Sequence, residues 1–361
     1  MNIDFITEKI HKALTSAGLM RGSVTAREDE DLIVVERVDT PAPPRPGAPA
    51  YAPASSPAPA PAKEPASPEP RHGRFIELVH TSRAGTRNYK LFVPAACRGQ
   101  AMPLVLMLHG CKQNPDDFAV GTRMNSLAER HGFLVAYPAQ SVAANGSNCW
   151  NWFERAQQSR EGAEPSILAG IVGDVAAAYS VKTDQVFVAG LSAGAAMAVI
   201  LGRTHPELFA GVAAHSGLPL GAAHDVPSAF AAMAGRVPFG APRGATAGLG
   251  ATSPTPRTIV FHGDRDSTVK ASNGAAITRQ AVASFEAGAG PLRHATRQSF
   301  GSASRRAAVA SWIDEDGTAL VEEWVVEGGS HAWFGGDSAG SYTDASGPDA
   351  SAEIVRFFLR H

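Results

Sequence analysis

The chain has 361 residues, of which 44% are apolar and 18% are charged, and its formal net charge is -2 at pH 7. This length allows one large domain or two ordinary ones, with enough apolar residues for a sizeable core. The near-neutral charge argues against binding to nucleic acid or to an anionic membrane, and no apolar run is long enough to span a membrane. The three cysteines are too few for a disulfide scaffold and lack metal-ligand spacing, so we expect no metal and no cofactor.

The first 70 residues differ in composition from the rest of the chain. Within an N-terminal segment at 1–38, residues 3–19 place apolar side chains at helical spacing and predict a short amphipathic helix. Such a helix packs on its own domain or on a partner subunit, which we favour, or it attaches to an apolar surface. Residues 39–70 are rich in Pro and Ala and predict a disordered or extended linker. The catalytic domain is therefore predicted at 71–361.

From residue 71 onward, predicted strands and helices alternate. Apolar and β-branched runs predict strands at Phe75–Thr81, Asn88–Val93, Leu104–Leu108, Phe133–Tyr137, Val186–Gly190, Phe209–Ala214, Thr258–His262 and Ala319–Val326. Helical periodicity predicts helices at Asp116–His131, Pro165–Tyr179, just past Ser192, at Ser228–Ala234, Ser272–Ala287 and Asp349–Leu359. The order predicts an α/β fold with a mostly parallel central sheet and helices on both faces. Functional residues in such sheets lie at the carboxyl ends of the strands.

The central predicted strand ends in a G-x-S-x-G motif, Gly190-Leu191-Ser192-Ala193-Gly194. In this motif the serine occupies a sharp strand-to-helix turn, and the glycines keep side chains out of a crowded backbone. The N-terminus of the next helix directs free N–H groups and partial positive charge at the same point. Ser192 is therefore the predicted nucleophile.

The loop after Leu104–Leu108 reads His109-Gly110-Cys111-Lys112-Gln113. A loop in this position can supply a backbone N–H to an oxyanion, beside the N–H of the residue after the nucleophile. We therefore expect the backbone N–H groups of Cys111 and Ala193 to form an oxyanion hole.

Two aspartates follow the strand Thr258–His262. Either Asp264 or Asp266 could accept a hydrogen bond from an imidazole and so fix its tautomer. We favour Asp266, because it lies further into the loop and in the D-x-x-V setting familiar from α/β-hydrolases.

The predicted base is His331, in the Gly-rich loop after the last predicted strand. It completes the order Ser, Asp, His that α/β-hydrolases use for a catalytic triad. His215, which also follows a strand, is the reserve candidate. His109 and His262 stand in His-Gly pairs at strand ends, where histidine is more often structural.

Taken together and in order, these motifs resemble short-chain-length poly(3-hydroxyalkanoate) depolymerases over roughly residues 74–360. The motifs are His109-Gly110-Cys111-Lys112-Gln113-Asn114, Cys149-Trp150-Asn151-Trp152-Phe153, Gly190-Leu191-Ser192-Ala193-Gly194, His262-Gly263-Asp264-Arg265-Asp266-Ser267-Thr268-Val269 and His331-Ala332-Trp333. The resemblance implies an α/β-hydrolase serine esterase that cleaves poly(3-hydroxybutyrate) or its oligomers. It implies triad roles for Ser192, Asp266 and His331 and an oxyanion role for Cys111. The wider group includes feruloyl and acetylxylan esterases, which are the alternative.

The resemblance also bears on tryptophans and cysteines. It places Trp150 beside the substrate, and Trp333 adjoins a functional loop, so both are expected to line an apolar groove that suits a methyl-bearing polyester. Trp152 is expected in the core. The resemblance implies a Cys111–Cys149 disulfide, whereas a cytoplasmic setting argues against a stable one.

Location is predicted from the N-terminal sequence, and partners from the same resemblance. Charged residues near the N-terminus, such as Asp4, Glu8 and Lys9, interrupt the apolar core of a secretory signal, so we expect a cytoplasmic protein. This pattern resembles the intracellular depolymerases, which act on storage granules; the extracellular members are the alternative. The expected partners are a polyester or short-chain ester and the surface of a polyhydroxyalkanoate granule. A non-enzymatic granule-coating protein is a further hypothesis, against which the intact triad speaks.

Overall fold

The computed structural model describes residues 72–236, 254–300 and 305–359. The helix predicted at 3–19 and the linker predicted at 39–70 lie outside the described residues.

The described residues contain the following helices and strands. The strands are β1 (Arg74–Ser82), β2 (Gly85–Val93), β3 (Met102–Leu108), β4 (Leu134–Pro138), β5 (Val181–Leu191), β6 (Gly211–His215), β7 (Arg257–Gly263), β8 (Arg293–Phe300), β9 (Arg306–Ile313), β10 (Ala319–Val326), β11 (Trp333–Phe334) and β12 (Thr343–Asp344). The α-helices are α1 (Pro115–Thr122), α2 (Met124–His131), α3 (Ala163–Ala178), α4 (Ala193–Thr204), α5 (Val226–Met233), α6 (Ser272–Ala289) and α7 (Ala350–Leu359). A short 3-10 helix spans Arg155–Gln158.

Ten of these strands form one sheet in the order β1-β2-β4-β3-β5-β6-β7-β10-β9-β8. The six central strands, from β4 to β10, are parallel, and an antiparallel pair extends the sheet at each end. The mostly parallel α/β architecture predicted from the sequence is therefore confirmed. The parallel arrangement brings the carboxyl ends of β3, β5, β7 and β10 to one edge.

The core lies on both faces of this sheet. On one face, apolar residues of α3, α4, α5 and α6 pack against the strands, and on the other those of α1, α2 and α7 do so. Every residue of β3 is buried, as expected for a strand covered on both sides. The site that follows is therefore built on a rigid, doubly covered layer.

The structure differs from the predicted elements in several places, and the short strands β11 and β12 are among the elements that were not predicted. The single helix predicted at Asp116–His131 is two helices, because Arg123 adopts a left-handed conformation with φ 54° and ends α1. Strands β8 and β9 were not predicted. Strand β8 carries polar residues such as Arg297 and Gln298 at the outer end of the sheet, where burial does not impose an apolar run. Strand β9 is mostly apolar, and its sequence was not recognised as a strand.

Candidate active site

Ser192 occupies the turn between strand β5 and helix α4. Its backbone angles are φ 58° and ψ -118°, a conformation that residues with a side chain rarely adopt. Its N–H donates to the carbonyl oxygen of His215 at 2.9 Å, which ties the turn to the neighbouring strand β6. This is the strained strand-to-helix turn that the G-x-S-x-G motif predicts.

The two glycines of the motif are required by close backbone contacts. A Cβ added to Gly190 would collide with the backbone of Gly194, and a Cβ added to Gly194 would collide with the carbonyl oxygens of Leu108 and His109. Helix α4 therefore begins in direct contact with the end of β3. This contact brings the first N–H groups of α4, including that of Ala193, beside the loop that follows β3.

That loop, residues 109–114, is held from two sides. Cys111 and Cys149 form a disulfide, and the N–H of Lys112 donates to the carbonyl oxygen of Ser147 at 2.8 Å. Both contacts bind the loop to residues 139–151, which follow β4. The loop that carries the predicted oxyanion donor is therefore cross-linked to its neighbour.

Gln113 fixes the same loop from within. Its side-chain oxygen accepts the N–H of Gly110 at 2.9 Å, and its amide nitrogen donates to Asp117 at 2.9 Å and to the carbonyl oxygen of Ser341 at 3.1 Å. Gln113 is buried. It joins the loop after β3 to helix α1 and to the loop that follows His331.

His331 and Asp266 form a hydrogen-bonded pair. Nδ1 of His331 lies 2.7 Å from Oδ2 of Asp266, whose carboxylate is fully buried. Oδ1 of Asp266 accepts the backbone N–H groups of Thr268 and Val269 at 2.9 and 2.8 Å. Because the carboxylate can only accept, Nδ1 carries the hydrogen, and Nε2 of His331 is the nitrogen left to exchange a proton.

The choice between the two aspartates follows from this geometry. Oδ1 of Asp264 accepts the N–H of Gly328 at 2.7 Å, and Asp264 is exposed. It therefore fastens the start of the loop that carries His331 and does not face the imidazole. Of the two candidates, Asp266 is the one that reaches His331.

The electrostatic setting keeps Asp266 ionised. Burial by itself raises the pKa of a carboxylate, but hydrogen bonds from His262 and His331, the charge of His331 and the N–H of Val269 act in the opposite direction. The net result is that the pKa of Asp266 lies well below its usual range. A buried anion is thus present to orient His331 and to stabilise its protonated form.

The reserve candidate for the base, His215, is fully buried, and its ring is engaged. Nε2 accepts the N–H of Phe334 at 3.1 Å, and burial, reinforced by the neighbouring His262 and His331, lowers the pKa of His215 well below its ordinary value. His109 is likewise held: its Nδ1 donates to Gly110 and its Nε2 accepts the N–H of Gln140. Both rings have structural contacts.

The prediction that Trp150 and Trp333 line a substrate groove is wrong, because their side chains are buried, at 0% and 1% exposed. The indole N–H of Trp150 donates to the carbonyl oxygen of His109 at 3.1 Å, and that of Trp333 donates to Ser351 at 3.0 Å. Trp333 also stacks on His215. Both indoles lie beneath the loops that follow β3 and β10 and support them, and Trp152 is also buried in the core.

One supporting residue was missed at the sequence level. Glu164 is 2% exposed, and its carboxylate accepts the backbone N–H of Asn151 at 2.8 Å as well as the side-chain amides of Asn151 and Gln140. These bonds fix the segment that contains Cys149. A carboxylate in the first turn of a largely apolar helix, whose other acidic residue is Asp174, is the sequence signal that could have indicated it.

Within 72–236, 254–300 and 305–359, no three His, Cys, Asp or Glu side chains are grouped as a metal site. None of the helices in these ranges has the length and apolar composition needed to traverse a bilayer.

The sequence was also compared with known families and proteins. The family model described as Esterase PHB depolymerase matches residues 87–297, which is more than half of the chain. This chain belongs to the esterase PHB depolymerase family. The match contains Ser192 and Asp266 and ends before His331.

Relatives within and near the PHB depolymerase family are about a third identical to the chain over the aligned regions. A poly(3-hydroxyalkanoate) depolymerase C of Paucimonas lemoignei is 34% identical over 204 residues, which are 54% of this chain and 49% of that protein. A poly(3-hydroxybutyrate) depolymerase of Ralstonia pickettii is 30% identical over 276 residues, which are 72% of this chain and 54% of that protein. The chain thus spans about half the length of the curated relatives it matches.

A solved structure has a similar fold. An acetyl xylan esterase from Aspergillus awamori superimposes with a TM-score of 0.61 at 18% identity, covering 79% of this chain and 99% of that one. At this identity the likeness concerns the fold alone. The family member described here has the α/β-hydrolase fold.

Proposed function

We propose that this protein is a serine esterase that hydrolyses the ester bonds of poly(3-hydroxybutyrate)-type polyester or its oligomers. The observation that carries the proposal is the His331–Asp266 hydrogen bond of 2.7 Å at the sheet edge where the strained turn presents Ser192. Membership of the PHB depolymerase family supports the polyester as substrate.

The chemistry assigned to these groups begins with Ser192. Its Oγ attacks the ester carbonyl carbon while Nε2 of His331 takes the hydroxyl proton, and Asp266 stabilises the imidazolium that forms. The N–H groups of Cys111 and Ala193 hold the oxyanion. As the C–O bond breaks, His331 gives its proton to the departing alcohol oxygen. Water then attacks the acyl carbonyl carbon and loses a proton to His331. As the bond between the acyl carbon and Oγ of Ser192 breaks, His331 returns that proton to Oγ, which releases the acid and restores Ser192.

Exposed apolar side chains near this edge support a polymer as the partner. Val142, in the loop after β4, is 67% exposed, and Tyr342, in the loop after His331, is 43% exposed. We propose that these two side chains adsorb to an apolar solid. The granule surface proposed as a partner is one such solid, and sedimentation of the chain with and without residues 1–70 measures whether the N-terminal segment adds to binding.

The deciding experiment is product analysis with amorphous poly(3-hydroxybutyrate), beside feruloyl and acetyl esters and a soluble activated short-chain ester. We expect release of hydroxybutyrate or its oligomers by the native protein and none by Ser192→Ala. Unchanged hydrolysis of the activated ester by Ser192→Ala would overturn the enzyme assignment.

A feruloyl or acetylxylan carboxylesterase is the second candidate. A feruloyl esterase B of Neurospora crassa is 30% identical over 183 residues, which are 46% of this chain. The same catalytic groups would serve. Selective release of ferulate or acetate, with the polyester untouched, would favour this candidate.

For location, the Cys111–Cys149 disulfide favours an oxidising compartment over the cytoplasm expected from the sequence. We therefore propose the extracellular alternative, in which the solid partner is polyester outside the cell. Thiol alkylation and mass spectrometry of protein from separated cell fractions test this: reduced Cys111 and Cys149 in a cytoplasmic fraction would favour the original expectation.

A further inference from the structure

His262 is the last residue but one of strand β7, and its ring is buried beside Asp266. Its Nε2 lies 2.8 Å from the carbonyl oxygen of Val269 and 3.5 Å from Oδ2 of Asp266. A carbonyl oxygen can only accept, so Nε2 carries the hydrogen. The imidazole therefore donates across the mouth of the loop that follows β7.

This contact closes a ring of hydrogen bonds around Asp266. The N–H of Val269 donates to Oδ1 of Asp266 at 2.8 Å, while the carbonyl oxygen of the same residue accepts from His262. Both polar groups of Val269 are thus used to hold the loop at 264–269 against the end of its own strand. The loop cannot open without breaking the bond to His262.

Helix α6 packs against the side of the His262 imidazole that faces away from the loop at 264–269. A Cβ added to Gly274, in the first turn of α6, would lie 2.8 Å from Nδ1 of His262. Nδ1 is buried and has no hydrogen-bond partner among the described residues. The ring is thus confined between the helix and the loop, with Nε2 toward Val269 and Asp266.

We propose that His262 is a positioning residue of the active site, which holds the loop at 264–269 closed and so aims Oδ2 of Asp266 at His331. This role rests on the proposed function, since it matters to turnover only if the Asp266–His331 pair is catalytic. His262 itself is too deeply buried to contact substrate.

The electrostatics of Asp266 agree with this role. The imidazoles of His262 and His331 both act to lower the pKa of Asp266 against the opposing effect of burial. His331 donates directly at 2.7 Å, while Nε2 of His262 lies 3.5 Å from Oδ2 and directs its hydrogen at Val269. A carboxylate without this second imidazole would be both less restrained and less well compensated for its burial.

The first test compares His262→Gln with His262→Leu. Glutamine can place an amide N–H near the position of Nε2, whereas leucine fills the space without a donor. We expect kcat on a soluble activated ester to fall about 10²-fold in His262→Leu, since small displacements of a catalytic group have effects of this size, with KM unchanged. His262→Gln should recover most of the loss. Rates are normalised to the folded fraction measured by circular dichroism.

Native kcat in His262→Leu, or an equal loss in both variants, would overturn the proposal, because packing alone would then account for the residue.

The second test does not depend on turnover. It uses the downfield proton resonance of the His331 Nδ1–H bonded to Asp266, measured in the native chain, Gly274→Ala and Gly288→Ala. Gly288 lies in the same helix with nothing within 4 Å of an added Cβ, so it is the matched control. We expect the resonance to shift or broaden in Gly274→Ala and to stay in Gly288→Ala. An unchanged resonance in Gly274→Ala would contradict the proposal.

The two tests separate the possible failures. If the resonance responds to Gly274→Ala but the native protein hydrolyses no ester, the proposed function is wrong while His262 still positions Asp266. If the native protein is active, but kcat is unchanged in His262→Leu and the resonance is unchanged in Gly274→Ala, the proposed function stands and the positioning role is wrong.

Discussion

Nδ1 of His331 lies 2.7 Å from Oδ2 of Asp266, although the two residues are 65 positions apart in the chain. The pair exists because β10 lies beside β7 in the sheet, with Val326 opposite Gly263. The loops that follow these strands then touch backbone to backbone: a Cβ on Gly263 would collide with the carbonyl of Gly329. Two loops from distant parts of the sequence are therefore packed as one unit.

Substitution of the two aspartates in the loop after β7 should have clearly different effects on kcat. We expect Asp266→Asn to lower kcat by about 10³–10⁴-fold, because the imidazole loses its anionic partner and its tautomer is no longer fixed. Asp264→Asn should have little effect, since an amide oxygen can still accept the N–H of Gly328. Steady-state kinetics on a soluble ester measure both. A comparable loss in both variants would contradict the assignment of Asp266.

The turn that carries Ser192 should not tolerate a methyl group at Gly194. In Gly194→Ala the new Cβ would push α4 away from Leu108 and separate the two predicted oxyanion donors. We expect at least the roughly 10²–10³-fold loss in kcat that follows removal of one such donor. The control is Gly173→Ala in α3, where an added Cβ meets nothing within 4 Å. If Gly194→Ala were as active as the control, the contact would have no catalytic meaning.

The disulfide should contribute strongly to stability. It joins residues 38 positions apart, for which loop-closure entropy gives about 4 kcal/mol of stabilisation. We expect the double change Cys111→Ser and Cys149→Ser to lower the free energy of unfolding in urea by up to this amount. Cys97→Ser, at the free cysteine, should change it by less than about 0.5 kcal/mol. Equal stability of the two variants would show that the bridge does not form in solution.

Acid should destabilise the fold through His109. Burial lowers the pKa of His109 from 6.5 to about 4, so between these values the unfolded chain binds a proton that the folded chain does not. The stabilisation is fully present above pH 6.5 and is lost as pH falls toward 4, a difference of about 3 kcal/mol. Urea unfolding at pH 7 and pH 4.5 should show a smaller loss for His109→Gln than for the native chain.

The control for this pH dependence is His72→Gln, at an exposed position, which should follow the native curve. Identical curves for all three proteins would mean that His109 does not govern the acid limb of stability.

Adsorption to polymer should depend on the exposed apolar side chains near the catalytic edge. We expect Val142→Ser and Tyr342→Ser to reduce hydrolysis of solid poly(3-hydroxybutyrate) several-fold while leaving kcat on a soluble ester unchanged. Val79→Ser provides the control, because Val79 is 57% exposed on the edge strand β1. A matching reduction in that control, or no reduction in either variant, would argue against a localised adsorption surface.

The parts of the fold that the sequence predicted are those in which burial dictates the pattern. Strand β3 is apolar throughout because both faces are covered, and α3 shows its buried face as Ile167, Leu168, Ile171, Val172 and Val175. The break at Arg123 escaped prediction, because the apolar periodicity continues across it and arginine rarely adopts positive φ. Strand β8 escaped because exposed positions such as Arg297 and Gln298 carry polar residues.

The candidate site shows the same division. Ser192 and the Asp266–His331 pair were predicted from motif order and from the rule that function lies at the carboxyl ends of strands. The tryptophans were misplaced because a position next to a catalytic loop does not reveal which way the ring points. Trp150 turns inward to reach the carbonyl oxygen of His109, a contact that depends on the folded loop. The contact of His262 with Val269 depends on the folded loop in the same way.

Strands β8 and β9 lie between Asp266 and His331 in the chain but at the far end of the sheet in space, because β10 inserts directly beside β7. Length in this stretch is therefore uncoupled from the distance between acid and base. These two strands could be exchanged, or an accessory module could be grafted onto them, without displacing the Asp266–His331 pair. A change in the length of these two strands would leave the neighbouring loops that carry Asp266 and His331 in place.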